Sequence, residues 1–253
     1  MSTNSTEQFS SQTAGSLATA TLFGVATNFR FAPAGSFTMG GTAADGEPRN
    51  VSLTNGFWIM ESPATQELWK AVMGTNPSQF VGEKLPVDSI TAADAEAFAA
   101  KLNDSGQAPE GWKFSLPTEA QWEYACRAGT ATEFWFGDVC DGTQANCDGN
   151  YGFRTDAKGP WLQKTTEVGT YPANPWGLFD VHGNVWEFCS DTYGAYPKGD
   201  ATDPTGATSG TRRVLRGGSW NDAAGSCRSA YRGSDAGVRA YPYNGVRLAL
   251  VKA

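Results

Sequence analysis

The chain has 253 residues, with 30 Gly, 9 Trp and a formal net charge of −7. That length accommodates one large domain or two small ones, and the acidic balance excludes the basic stripe that a nucleic-acid partner requires. No apolar run approaches the roughly 18 residues of a spanning helix, so no membrane span is expected.

Residues 1–21 are rich in Ser and Thr, with Glu7 as the only charged side chain. They lack the basic and apolar regions of a signal peptide and hold no Cys that could carry a lipid. The sequence therefore predicts a protein that stays in the cytoplasm or leaves by another route, for instance on a virus particle. Residues 1–24 read as a flexible arm, and 25–253, with no internal repeat or Pro-rich linker, as one domain.

Residues 29–40 alternate apolar and polar side chains around a Gly turn, which predicts a hairpin. Residues 51–53 followed by 57–60 predict a second strand pair. Three short helices come next. One covers about 65–73, burying Leu68, Trp69 and Val72. Another covers about 92–103, with Thr91 as N-cap and Ala95, Phe98, Ala99 and Leu102 on one face. The third opens on the capping box of Thr118 and Gln121, buries Trp122, Ala125 and Cys126, and stops at Gly129.

Beyond Gly129 the helical signal disappears into Gly-, Asn-, Asp- and Pro-rich sequence. Loops this long need an organiser, such as an ion, stacked aromatics or a disulfide. The five cysteines, 126, 140, 147, 189 and 227, are odd in number and irregular in spacing. They form neither a disulfide framework nor a zinc site, although Cys140 and Cys147 share a loop and could pair. Cys126 reads as a small core residue.

Several segments match one family in order: Phe37-Thr38-Met39-Gly40, Thr65-Gln66-Glu67-Leu68-Trp69, Leu85-Pro86-Val87, and Ser115-Leu116-Pro117-Thr118-Glu119-Ala120-Gln121-Trp122-Glu123-Tyr124-Ala125. Gly177-Leu178-Phe179-Asp180-Val181-His182-Gly183-Asn184-Val185-Trp186-Glu187-Phe188, Arg216-Gly217-Gly218-Ser219-Trp220 and Asn244-Gly245-Val246-Arg247-Leu248 complete the series. The chain resembles the formylglycine-generating enzyme (sulfatase-modifying factor) family over about residues 28–250. The resemblance implies an α+β, C-type-lectin-like fold with short helices and much irregular loop. The family contains copper-dependent oxidases, iron-dependent sulfoxide synthases and non-catalytic binding proteins, so the site residues must decide.

The oxidases resembled here hold copper through two cysteines after the Gly-Gly-Ser-aromatic motif, because paired thiolates suit a soft Cu(I). Here Asn221 and Asp222 follow Trp220, and Cys227 is the only thiol in that segment. The sulfoxide synthases need three His; this chain has one, His182, which reads as a turn residue with a satisfied ring. A metal-dependent modifying enzyme built on Cys227 remains the rival to a binding protein, and a structural virion or surface protein is a third possibility. No catalytic residue and no catalytic cofactor are expected.

By position in the family, Asp180 and Glu187 side chains with the Gly183 and Val185 carbonyls imply a structural Ca²⁺ site; the alternative is a turn with Glu187 paired to an Arg. A second site near Asn146 is also possible. Residues 213–248 are similar to the variable region of diversity-generating-retroelement proteins, in which asparagine codons on one exposed face are rewritten. The expected ligand-contacting positions lie within 221–244: Asp222, Ala223, Ser226, Tyr231, Gly233, Ser234, Asp235, Val238, Ala240, Tyr241 and Tyr243. Tyr, Ser, Gly and Asp form an antibody-like contact palette, suited to a protein or glycan partner. Arg228, Arg232 and Arg239 read as scaffold, each a planar fork for carbonyls and carboxylates.

Overall fold

A computed structural model describes residues 9, 10, 12–42 and 45–253. Short apolar runs form its strands, which assemble into three sheets. The largest is antiparallel and runs β1 (Leu17–Leu22), β2 (Val25–Ala32), β5 (Phe57–Met60), β12 (Ala249–Lys252), β6 (Trp112–Ser115). The second runs β10 (Gly233–Asp235), β9 (Arg213–Arg216), β7 (Trp186–Thr192), β11 (Asn244–Gly245), and the third joins β3 (Gly35–Met39), β4 (Arg49–Leu53) and β8 (Ala201–Thr202).

Three expectations are corrected. A quarter of the supposed arm is strand β1: alternation along Leu17–Leu22 buries Ala18, Ala20 and Leu22 on one face, paired with β2. Phe9 is buried too, edge-on to Phe29 and Trp58 at 5.8 and 5.0 Å. Residues 1–8 and 11 of that arm lie outside the described residues. The hairpin over 29–40 does not form, because β2 pairs with β1 and β5 while β3 pairs with β4. Pro33, which has no N–H to give a ladder, stands where the chain leaves one sheet for the other. Strands β4 and β5 likewise exist but do not pair, as each finds its partners in a different sheet.

The helices form where capping and periodicity place them: α1 (Gln66–Met73), α2 (Ala92–Asp104) and α3 (Glu119–Arg127). Thr65 caps α1 by accepting from the Leu68 N–H, and capping boxes of Thr91 with Asp94 and Thr118 with Gln121 open α2 and α3. Each satisfies amide donors that a helix start leaves unpaired. The apolar stripes of α1 and α2 meet in the Trp69–Phe98 stack, 4.9 Å between centroids, and this core continues to Trp58 and Phe29 of the large sheet. A second core surrounds Trp122 of α3. Among the described residues, no helix is long and apolar enough to cross a membrane.

Stacked aromatics organise the long loops after α3. Phe134 and Phe136 lie parallel at 5.1 Å, and the His182 ring stands edge-on to both at 5.3 and 5.5 Å. Phe134 also belongs to a small third core with Cys140, Ala145, Cys147, Ala224 and Cys227.

Candidate functional site

The C-terminal segment is irregular, and arginines reaching into the framework hold it in place. Arg228 grips Asp45 through both terminal nitrogens at 2.8 and 2.9 Å and reaches Glu133 at 3.1 Å. Arg232 meets both Glu119 oxygens at 2.7 and 2.8 Å and stacks on the Tyr196 ring at 3.9 Å. Arg216, fully buried, pairs with Glu123. Such forks fix two atoms at once, so they set the course of a loop as well as neutralising charge. Arg239, expected beside them in the scaffold, lies exposed instead.

Two tryptophans complete the base. The Trp220 indole N–H donates to the Pro242 carbonyl at 2.9 Å, and that of Trp186 donates to Asp222 at 2.9 Å. Above them, Tyr241 and Tyr243 stack in parallel at 5.2 Å, and Tyr231 leans on Trp186 at 6.1 Å. Ala223, Val238 and Ala240 are exposed, Val238 to 79%. Asp222, Ser226, Tyr231, Gly233, Ser234, Asp235, Tyr241 and Tyr243 are half-buried.

Not all of these are free to meet a ligand. Asp222 accepts from Trp186 and Ser219, and burial raises its pKa. Ser234 accepts from Arg212 at 2.9 Å, and Asp235 accepts the Gly237 N–H. The chemistry left facing solvent is chiefly aromatic and small apolar. Sequence reasoning missed two neighbours: Tyr151, 66% exposed, whose carbonyl accepts the Ala224 N–H at 3.1 Å, and Val81, 80% exposed, next to the Phe80 ring that stands edge-on to Trp220 at 5.4 Å. Their signal was one or two apolar residues in a polar loop, which does not reveal their neighbours.

Asp180 and Glu187 are both buried, but Glu187 is already engaged. Arg247 donates to both of its oxygens at 2.8–3.1 Å, and the Trp122 indole donates at 2.6 Å. That guanidinium supplies the positive charge a cation would bring, so Glu187 does not fit the calcium-ligand role the resemblance implied; the turn with an Arg-paired Glu is what forms. Asp180 accepts the Gly169 N–H at 2.8 Å, and burial raises its pKa to about 6. The amide of Gly183 donates to the Gly217 carbonyl, and Val185 is fully buried.

His182 has a satisfied ring. Its Nδ1 lies 2.7 Å from the Cys227 carbonyl, and its Nε2 accepts the Trp135 N–H at 3.0 Å, which requires the proton on Nδ1. Burial holds its pKa down at about 4. A histidine held neutral contributes full stability above its unfolded value near 6.5 and loses it as pH falls toward 4. The expected loss is about 3 kcal/mol over that window. Buried Asp180 and Asp191, with pKa values raised to about 6 and 7, act in the opposite direction. The histidine component is therefore isolated by urea titration of His182→Gln beside the natural protein at pH 7 and pH 4. The deficit of the variant at pH 7 is expected to shrink by about 2–3 kcal/mol at pH 4; an unchanged deficit would refute the neutral-ring assignment.

Cys227 is not alone in space. Cys140 and Cys147 come to it from another loop, which spacing along the chain could not show. All five cysteines are buried and unbonded, so the Cys140–Cys147 bond considered from sequence is not formed here. For Cys140 the neighbouring Cys147 thiol and then burial raise the pKa. At Cys227 the contact with Cys147 pulls the pKa down, but burial together with the charges of Asp222 and Cys140 carries it above the ordinary thiol value. Protonated, sealed thiols are poor ligands and poor nucleophiles. Among the described residues, no group of His, Cys, Asp and Glu is arranged to hold a metal.

The sulfatase-modifying factor enzyme 1-like domain matches residues 23–252. In three dimensions the chain is similar to Treponema denticola variable protein 1, with a TM-score of 0.81 and 29% identity, covering 91% of this chain and 97% of that one. A formylglycine-generating enzyme of Streptomyces coelicolor is 39% identical over 42% of this chain and 35% of its own length. A serine/threonine-protein kinase pkn1 of Chlamydia caviae is 40% identical over 59% of this chain, but only 21% of its own length. The chain thus spans about a fifth to a third of these two relatives.

Proposed function

This chain belongs to the sulfatase-modifying factor enzyme 1-like family, and we propose that within it the protein binds a ligand without transforming it. The observation that carries this reading is the contrast between the two faces of the C-terminal segment. Its one thiol, Cys227, and the forks of Arg216, Arg228 and Arg247 are buried in the frame, while Val238, Ala240 and Ala223 are exposed and Tyr241 and Tyr243 are half-exposed. A stacked tyrosine pair on a pinned loop presents large contact area with little entropy left to lose. The likeness to a variable protein supports the same reading. The proposed ligand is a protein or glycan, met over residues 222–243, and no catalytic cofactor enters the proposal.

Two measurements test it. DNA beside the coding sequence is expected to contain a near-copy of the codons for residues 213–248, differing chiefly at adenines, together with a reverse transcriptase gene. Absence of both would remove the diversified surface. Copper-loaded protein given a cysteine peptide is expected to consume no oxygen; sustained turnover would sink the binding reading. The surface should also tolerate change, so Ala223→Ser, Val238→Ser and Ala240→Ser combined are expected to alter unfolding free energy by no more than about 1 kcal/mol. Thermal melts read that outcome directly.

A further inference from the structure

Cys140, Cys147 and Cys227 are each no more than 1% exposed, and Phe134, Ala145 and Ala224 close the space around them. The Cys147 thiol meets those of both Cys140 and Cys227, and all three belong to one small core. Backbone bonds hold this row together. Cys140 and Phe153 exchange N–H···O bonds at 3.2 and 2.7 Å, the Asp148 N–H donates to the Asp222 carbonyl at 2.8 Å, and Asp148 bridges to Ala223. The two loops are therefore tied immediately beside the sulfurs.

We propose that Cys147 is the shared sulfur of an exchangeable disulfide, bonding either Cys140 within its own loop or Cys227 in the C-terminal segment. The first bond requires removal of two electrons and two protons. A small-molecule disulfide such as oxidised glutathione supplies that oxidising power and leaves as two thiols. Exchange then needs no further oxidant. Cys227 loses its proton and its sulfur attacks Cys147, the Cys140–Cys147 bond breaks, and the departing Cys140 thiolate takes up a proton.

The two bonds are not equivalent. Joining 147 to 227 closes a far longer loop than joining 140 to 147, and so removes more freedom from the unfolded chain. The Cys147–Cys227 bond therefore stabilises the fold against unfolding more than the Cys140–Cys147 bond does, and it fastens residues 219–228 to the loop that carries Tyr151. Because the folded thiols are sealed and protonated, oxidation occurs during folding. The pairing stands whether or not the segment binds a ligand, and its test requires none.

The full chain, reduced and unfolded in guanidinium, is refolded in a buffer of reduced and oxidised glutathione, alkylated and mapped without reduction. The expected product is a mixture in which Cys147 is bonded to Cys227 or to Cys140, with Cys126 and Cys189 alkylated. Cys140→Ser should retain only the Cys147–Cys227 bond, Cys227→Ser only the Cys140–Cys147 bond, and Cys147→Ser neither. The refolded natural protein should melt roughly 5–10 °C above its reduced form, a difference lost in Cys147→Ser. Alkylation of all five cysteines after refolding overturns the proposal, as does any bond that omits Cys147.

Discussion

Replacing Arg247 with methionine is expected to lower stability by about 3–5 kcal/mol, the cost of leaving a buried charge without its partner. Arg247 and Glu187 are both completely buried. The guanidinium also donates to the carbonyls of Met60 and Glu61 at 3.1 and 3.0 Å and to that of Phe179 at 2.7 Å. One side chain therefore ties the end of β5, the turn before β7 and β7 itself. Methionine fills much of the volume but strands a carboxylate and removes a donor from three carbonyls, of which that of Glu61 keeps the Phe179 N–H. Urea unfolding of Arg247→Met measures the loss, and adding Glu187→Gln should recover about 2 kcal/mol, since glutamine still accepts from Trp122 without a charge. A loss below about 1 kcal/mol would show that water reaches Glu187 and that the pair is not the tie described.

Gly183→Ala is the second large effect. Its φ of +98° is one that side chains rarely adopt, and a Cβ there would stand 2.3 Å from the Asn146 carbonyl oxygen. That oxygen is fixed because it accepts the Asn184 N–H at 2.9 Å, while the Gly183 N–H donates to the Gly217 carbonyl at 2.7 Å. Relief requires a backbone to move and those bonds to break, at an expected cost of about 3 kcal/mol or more. Gly129→Ala is the control. Its φ of +90° is similar, but nothing lies within 4 Å of the added carbon, so only the conformational cost of about 1–2 kcal/mol applies. Equal melting temperatures for the two variants would mean that the Asn146 loop yields freely.

What could be read from the sequence divides by range. Thr91 and Thr118 announced two helix starts because a capping side chain acts within three residues, and α2 and α3 begin where they indicate, whereas Thr65, read as the first residue of a helix, is the cap of α1. Strand partners were misjudged because alternation fixes which face is buried but not which strand lies alongside: 29–40 read as a hairpin, but its two halves belong to β2 and β3 in different sheets. The family motifs carried the fold. For the site, the sequence put Tyr241, Val238 and Ala240 among the contact positions, and the fold leaves Val238 and Ala240 exposed and Tyr241 half-buried. The approach of Cys140 and Cys147 to Cys227 was not, nor was the capture of Glu187 by Arg247, because such long-range contacts depend on packing that no local spacing encodes.

Strand β12 lies between β5 and β6, pairing Leu250 with Trp58 on one side and Phe114 on the other. The large sheet therefore remains in two pieces during synthesis until residues 249–252 emerge from the ribosome. Until then β5 and β6 present unsatisfied edges, the kind of surface that recruits strands from other chains. Pairings this distant in sequence also make for slow folding. The yield of folded protein in a cell thus depends on how well those edges are shielded between the synthesis of β6 and the arrival of β12.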